Sequence, residues 1–258
     1  MKPPFTHKHI MKNTDSVGEQ NTQGLIALAR IETHEKVIQY LQNERKGKLL
    51  DVPSGTGILS SKLKELGFEC CCCDINPEMF KAQGIEFKVA DLNKRVPLET
   101  NHFDFITCID GMEHLENPHN AIREFKRVLK KGGKLFIAIP NYLNIERRMK
   151  FLLTGSFTKP VSQEMFKERF NCNTAMMHIN FVSYPILRFM LESNGFHIIK
   201  LDIDRPKPKM IFLFPVTLLI KLYCWFWPKK AKERYWLKET LSKEILLGGN
   251  TLIIVAEK

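Results

Sequence analysis

Acids and glycines fall at a spacing that makes a ligand pocket. Asp51, Gly55 and Gly57 lie within seven residues of one another, and Asp74 follows seventeen residues after Gly57. The apolar run Leu49-Leu50 leads into the first acid, and Phe68-Glu69-Cys70-Cys71-Cys72-Cys73 leads into Asp74. Gly55 and Gly57 lack the Cβ that would stop a backbone from turning sharply against a ligand. An acid at the end of the next strand is placed to accept hydrogen bonds from both hydroxyls of a ribose. A second group of chemical interest, Glu113 and His114, closes the apolar run Phe103–Ile109. A histidine there titrates near neutral pH and suits a general base.

The elements that must hold these residues alternate along the chain. The apolar periodicity predicts a helix over 22–43, strand 48–53, helix 57–66, strand 68–74, helix 77–83, strands 86–90 and 103–109, helix 118–130 and strand 134–140. A helix over 184–194 and strands 196–204 and 250–257 complete the pattern. Such alternation makes a mainly parallel sheet with helices on both faces.

The first turn also indicates which nucleoside fits. A dinucleotide site prefers G-x-G-x-x-G with a pyrophosphate on the helix N-terminus. Here Asp51 opens the turn and no third glycine is in register. An acid attracts a ligand with an ammonium group and repels phosphates. At this point the chain resembles the class I S-adenosylmethionine-dependent methyltransferases. Val89-Ala90-Asp91-Leu92-Asn93 is similar to the segment whose acid meets the adenine amino group. Phe103 to Asp110 resembles the fourth strand, Met112 to Pro118 the loop after it, and Val128 to Asn141 the turn and fifth strand. One departure is Pro53, where the family usually has glycine; a subset of bacterial members carries proline there. The resemblance implies a Rossmann-like seven-stranded mixed sheet with the last strand antiparallel. It also implies a cofactor site of Asp51, Pro53, Ser54, Gly55, Thr56, Gly57, Asp74, Ile75, Asn76, Asp91, Leu92, Asn93, Ile109 and Asp110, with His114 and Glu113 beside the reacting atoms. His114 is read as a base, a pocket-lining group or a scaffold residue, and Glu113 as a second polar pocket group or a loop anchor.

At 258 residues the chain has room for one such domain with additions. Residues 1–21 read as a flexible polar arm without a secretory pattern, and 22–258 as the domain. Two insertions interrupt it. The first, 142–183, is expected on the substrate side, with Arg147, Arg148, Lys150, Lys159, Arg169, His178 and Asn180 as candidates. The second, 206–238, is hydrophobic and basic. Its run Met210–Trp227 nears the roughly 20 apolar residues that span a bilayer, but contains Pro215 and Lys221. Central lysine costs about 2.5–3.5 kcal/mol on insertion, so a place in the headgroup layer, or a lid or dimer contact, is expected instead.

Charge agrees with an anionic surface as partner. The net charge is +11, and Lys200 to Glu239 alone holds ten Lys or Arg against four acids. Of the seven cysteines, four are consecutive, Cys70 to Cys73; strand neighbours face opposite sides, which excludes a disulfide framework and zinc-ligand spacing. A reducing, cytoplasmic setting follows. The expected activity is O-methylation of a glycan or lipid-linked acceptor at the inner face of the plasma membrane, as in bacterial relatives of unassigned or envelope-glycan-related role.

Two alternatives stand beside it. One is RNA ribose 2′-O-methylation, possible because Asp110-x-x-Glu113-His114 with a distant His178 resembles the metal set of small-RNA terminal methyltransferases. The acid is shortened to Asp and the histidine-rich partner segment is not reproduced, so no metal is expected; no nucleic-acid module is visible either. The other is a non-catalytic binding protein, against which the intact Gly55, Gly57, Asp74 and Asp91 set argues. The sequence fixes no oligomeric state.

Overall fold

The computed structural model describes residues 25–158, 161–170 and 177–258; the arm 1–21 and Lys159 lie outside them. Seven strands form one sheet: β1 (Lys48–Asp51), β2 (Glu69–Asp74), β3 (Glu86–Val89), β4 (Phe103–Ile109), β5 (Leu129–Pro140), β6 (His197–Ile203) and β7 (Thr251–Glu257). Their order is β3-β2-β1-β4-β5-β7-β6. The first five run parallel, and β7 lies antiparallel between β5 and β6. The order reverses beside β1, which opens a crevice at the carboxyl ends of β1 and β4.

Helices α1 (Ile31–Gln42), α2 (Ile58–Glu65) and α3 (Pro118–Val128) flank the sheet. The alternating faces of the strands feed two cores. Leu50, Ile106, Leu135 and Ile254 pack with α3, whereas Leu49, Phe105, Phe136 and Ile253 pack with α1 and α2. Beneath the loop before β4, buried Glu124 takes the Arg127 guanidinium and the Val96 N–H, and Arg127 also donates to the carbonyls of Val96 and Leu98.

Three expectations are corrected. The helix expected over 22–43 begins only at Ile31. Leu25 and Ala27 instead pack with Ile58 and Ala82, and the Ile26 carbonyl accepts the Thr56 hydroxyl, which leaves it no role in a helix. No helix forms over 77–83. That segment lays Phe80 and Ala82 against Gly57 and stacks Phe80 on Phe87 at 4.5 Å, packing that a helical turn would undo. The fifth strand starts at Leu129 rather than 134, so the Gly132-Gly133 turn is absorbed into β5, with an irregular register against β4.

The first insertion contains α4 (Ile145–Thr154) and α5 (Gln163–Phe170), and α6 (Tyr184–Ser193) follows it. The second folds as a 3-10 turn (Pro208–Leu213), α7 (Phe214–Trp225), α8 (Lys229–Arg234), α9 (Leu237–Thr240) and, just beyond it, α10 (Lys243–Leu246). Pro215 sits in the first turn of α7, where its missing N–H costs nothing. No helix among the described residues is long and apolar enough to cross a membrane.

Candidate active site

The crevice is built from the turn after β1. The Val52–Pro53 bond is cis. Pro53 rests against Gly111 at the end of β4, where a Cβ would come within 2.4 Å of the proline Cδ. Gly57 has φ of +84°, and a Cβ there would meet Phe80 and Ala82 at 2.6 Å. Both glycines are therefore dictated by close approach, and at Gly57 also by the backbone. Pro53 is thus accommodated by the missing side chain of Gly111.

Asp51 lies under the turn, 2% exposed. Its carboxylate accepts the Ser60 hydroxyl at 2.6 Å and the Thr107 hydroxyl at 2.7 Å, which ties β1 to α2 and β4. Burial pushes its pKa up to about 6, against the pull of the two hydroxyls. Asp51 thereby braces the turn from beneath, a role that spacing alone did not indicate. Asp74 accepts the Gly55 N–H and the Asn76 N–H, both at 2.9 Å. Each carboxylate oxygen keeps further lone pairs for a ligand. The Ala90 N–H donates to the Asp74 carbonyl, which brings Asp91 alongside.

The residues expected at the site divide in the structure. Ser54, Gly55, Asp74, Ile75, Asn76, Asp91 and Asp110 gather at the strand ends. The Thr56 hydroxyl turns away to Ile26, and Leu92 and Ile109 place their side chains in the cores. The Asn93 side chain accepts the Asn117 N–H and fastens the loop before α3.

The carboxyl end of β4 carries a group of titratable side chains, Asp110, Glu113 and His114. Asp110 stands at φ of +48°, an uncommon conformation that Asp tolerates better than most residues. Its pKa is raised, by burial first and then by Asp204, with Arg30 opposing. Glu113 is 0% exposed and neither carboxylate oxygen has a hydrogen-bond partner. Burial, then Asp110, holds its pKa well above the usual range. His114 Nδ1 lies 2.9 Å from the Met177 carbonyl. A carbonyl only accepts, so His114 Nδ1 carries a proton and donates it to Met177.

The first insertion supplies the opposite wall. His178 stands edge-on to His114 with ring centroids 4.9 Å apart, and its Nε2 is 4.0 Å from Glu113 Oε1. Tyr142 Oη is 3.4 Å from His178 Nδ1, and Arg147 lies over the Tyr142 ring. The backbone N–H groups of Ile179 and Asn180 both donate to the Glu113 carbonyl, and the Asn180 amide donates to Leu115. Arg148 faces away, donating to the carbonyls of Leu143 and Thr240. Tyr142 and Asp204 were missed by sequence reasoning. Both follow the pattern of a polar residue at a strand's carboxyl end, the signal that identified Asp74.

The residues fit S-adenosylmethionine. Ser54 Oγ and Asp110 Oδ1 are buried without a partner, as groups awaiting a polar ligand would be. Ile75, half-exposed beside Asp74, offers an apolar surface to a base. Asp74 would hold the ribose, Asp91 and Ile75 the adenine, and Ser54, Gly55 and Asp110 the amino-acid end.

Comparison with known proteins identifies the family and the fold. A family described as "Methyltransferase domain" matches residues 27–201. The ubiquinone biosynthesis O-methyltransferase of Xanthomonas oryzae pv. oryzae (strain PXO99A) is 34% identical over 103 residues, which is 36% of this chain and 43% of that protein. The ubiquinone/menaquinone biosynthesis C-methyltransferase of Pseudomonas putida (strain GB-1) is 37% identical over 112 residues, 38% of this chain and 43% of that protein. The match thus spans less than half the length of these relatives. A SAM-dependent methyltransferase of Archaeoglobus fulgidus, 19% identical, shares the fold over 87% of this chain and 90% of its own, with a TM-score of 0.51. Sequence motifs, strand order and the family match agree: the chain belongs to the class I S-adenosylmethionine-dependent methyltransferases, in the family described as a methyltransferase domain.

Proposed function

We propose that the chain transfers a methyl group from S-adenosylmethionine to a ring hydroxyl of a lipid-soluble acceptor. The observation that carries the reading is the place of His114 just after β4, its ring anchored through Nδ1–H on the Met177 carbonyl. The cofactor supplies an electrophilic methyl on a sulfonium. The chain positions the acceptor between the β4 end and the first insertion, and His114 takes the hydroxyl proton. Names of the curated relatives, both from ubiquinone biosynthesis, favour a quinone-type ring over the glycan expected from sequence.

A second observation supports a lipid-soluble acceptor. Phe212 and Phe226 are 83% and 78% exposed, and Leu218, Leu219, Leu222 and Trp225 of α7 are also exposed. Lys221, Lys229, Lys230 and Arg234 stand among them. Such a face suits peripheral contact with an anionic membrane, from which the acceptor would reach the site.

The test is His114→Ala with a lipid-soluble dihydroxy-aromatic acceptor. Cofactor binding should persist while transfer slows by about 10²–10⁴. Unchanged turnover would remove His114 as the base.

A further inference from the structure

The second insertion lines a cavity of about 670 Å³ with residues of α7, α8 and α9, joined by Arg188 of α6. No residue lining it belongs to the cofactor or acceptor walls of the crevice. Its own walls are fixed by specific contacts. The elbow after α7 is held by the Lys232 ammonium, which donates to the Trp225 carbonyl at 2.8 Å. The Trp227 ring meets Tyr223 and Tyr235 edge-on at the same elbow. Another wall is Trp236, which stands at φ of +45° just after α8 ends. Glycine or asparagine is usual at such a place, and a bulky residue in the left-handed region is strained. Strain of this kind gathers at ligand clamps. The Arg188 guanidinium covers the Trp236 ring at 4.9 Å and is itself gripped by Glu192 and Glu239 at 2.8 and 2.9 Å.

Charge and polarity divide this cavity. Five Lys or Arg line it against two acids, Glu233 and Glu239. Glu239 is taken by Arg188 and Glu233 faces Lys229, whereas Lys221 and Lys238 have no ion-pair partner among the described residues. Trp236, Leu237 and Leu241 supply apolar lining, and Trp225, which also lines the cavity, carries it out onto the exposed face of α7. We infer that the cavity binds one anionic phospholipid, its phosphate on Lys221 and Lys238 and its glycerol and first chain carbons against Trp236, Leu237 and Leu241. The phosphate supplies the charge that the two lysines lack. The chain covers the apolar lining, and Trp225 stands at the water boundary as interfacial aromatics do. A free phosphate ion would leave that lining bare, and a zwitterionic lipid would leave the two ammonium groups without net compensation. The site turns a general membrane contact into a receptor for a single molecule, and it rests on the membrane reading only for the source of the lipid.

The test titrates the full chain with dihexanoyl-phosphatidylglycerol, kept monomeric below its micelle concentration, by calorimetry and tryptophan fluorescence. One saturable site per chain is expected, with dihexanoyl-phosphatidylcholine and inorganic phosphate each bound about tenfold or more weakly. Lys221→Gln and Lys238→Gln should each weaken binding about fivefold. Trp236→Gly relieves the backbone and removes the clamp, so it should keep its urea midpoint and bind about tenfold or more weakly. If Trp236→Gly loses stability, the two exposed lysine variants decide. Uptake beyond one per chain, equal affinity for phosphatidylcholine, or unchanged affinity in both lysine variants would overturn the site. So would a dimer in sedimentation that takes up no lipid, since a second copy would then be what covers the cavity. Monomer binding without flotation on anionic vesicles would overturn the membrane contact and leave the lipid site standing.

Discussion

Replacing Asp51 by Asn should remove a pH dependence of stability that one buried carboxyl imposes. Asp51 has a folded pKa of about 6 against an ordinary value of 3.8. For an acid with a raised pKa, the folded state binds the extra proton, so its stabilising contribution is complete below 3.8 and lost as pH rises through about 6. Each pKa unit is worth 1.36 kcal/mol, so the loss approaches about 3 kcal/mol by pH 7. Asn keeps both hydrogen bonds in principle: its oxygen can accept one hydroxyl and its NH₂ can donate to the other hydroxyl oxygen. The perturbation is therefore mainly electrostatic. Urea denaturation of both proteins, followed by circular dichroism from pH 4.5 to 7.5, reads the difference directly. The wild type should lose about 2 kcal/mol relative to Asp51→Asn across that range. Taking the difference cancels groups common to both, among them His34, whose pKa is pushed by burial, then Lys62, down to about 4 and which acts in the opposite sense. Parallel stability curves would refute the picture of Asp51 as a buried brace with a raised pKa.

Other consequences follow from packing and surface. Gly111→Ala forces a methyl into Pro53 without straining the backbone, and should cost about 1–3 kcal/mol; calorimetry should show weaker cofactor binding as the turn shifts. Arg127→Met leaves Glu124 with the Val96 N–H as its remaining partner beneath the loop before β4, so chemical denaturation should report a loss of about 1–3 kcal/mol. Leu219→Glu with Phe226→Glu alters only exposed side chains of the second insertion. The pair should keep the fold and release the protein from vesicles containing anionic lipid in a flotation assay, and undiminished flotation would count against membrane contact.

The strands were legible because their apolar runs are long and end on polar residues. Phe103–Ile109 was bounded to the residue, and the antiparallel last strand came with the resemblance. What escaped was decided by tertiary contact. Leu25 to Arg30 has helical periodicity, yet burial over the turn and the Thr56–Ile26 bond win over propensity. Residues 77–83 lost their expected helix to the cover that Phe80 and Ala82 give Gly57. In the site, Asp74 and His114 were identifiable from their place after strands. The inward turn of Asp51 was not, because it depends on Ser60 and Thr107, the latter 56 residues away. Nor could spacing reveal that His178 reaches Glu113, since the link is a backbone pairing between the loop after β4 and the first insertion.

The central claim is that the crevice at the ends of β1, β2 and β4 holds S-adenosylmethionine. Isothermal calorimetry with the cofactor and with its demethylated product, on the wild type and on Asp74→Ala, tests it most directly. The expected result is one site per chain with micromolar affinity for both ligands, and binding weakened by about tenfold or more in Asp74→Ala, where two charge-assisted hydrogen bonds to ribose are lost. Absence of binding in the wild type, or equal affinity in Asp74→Ala, would contradict it.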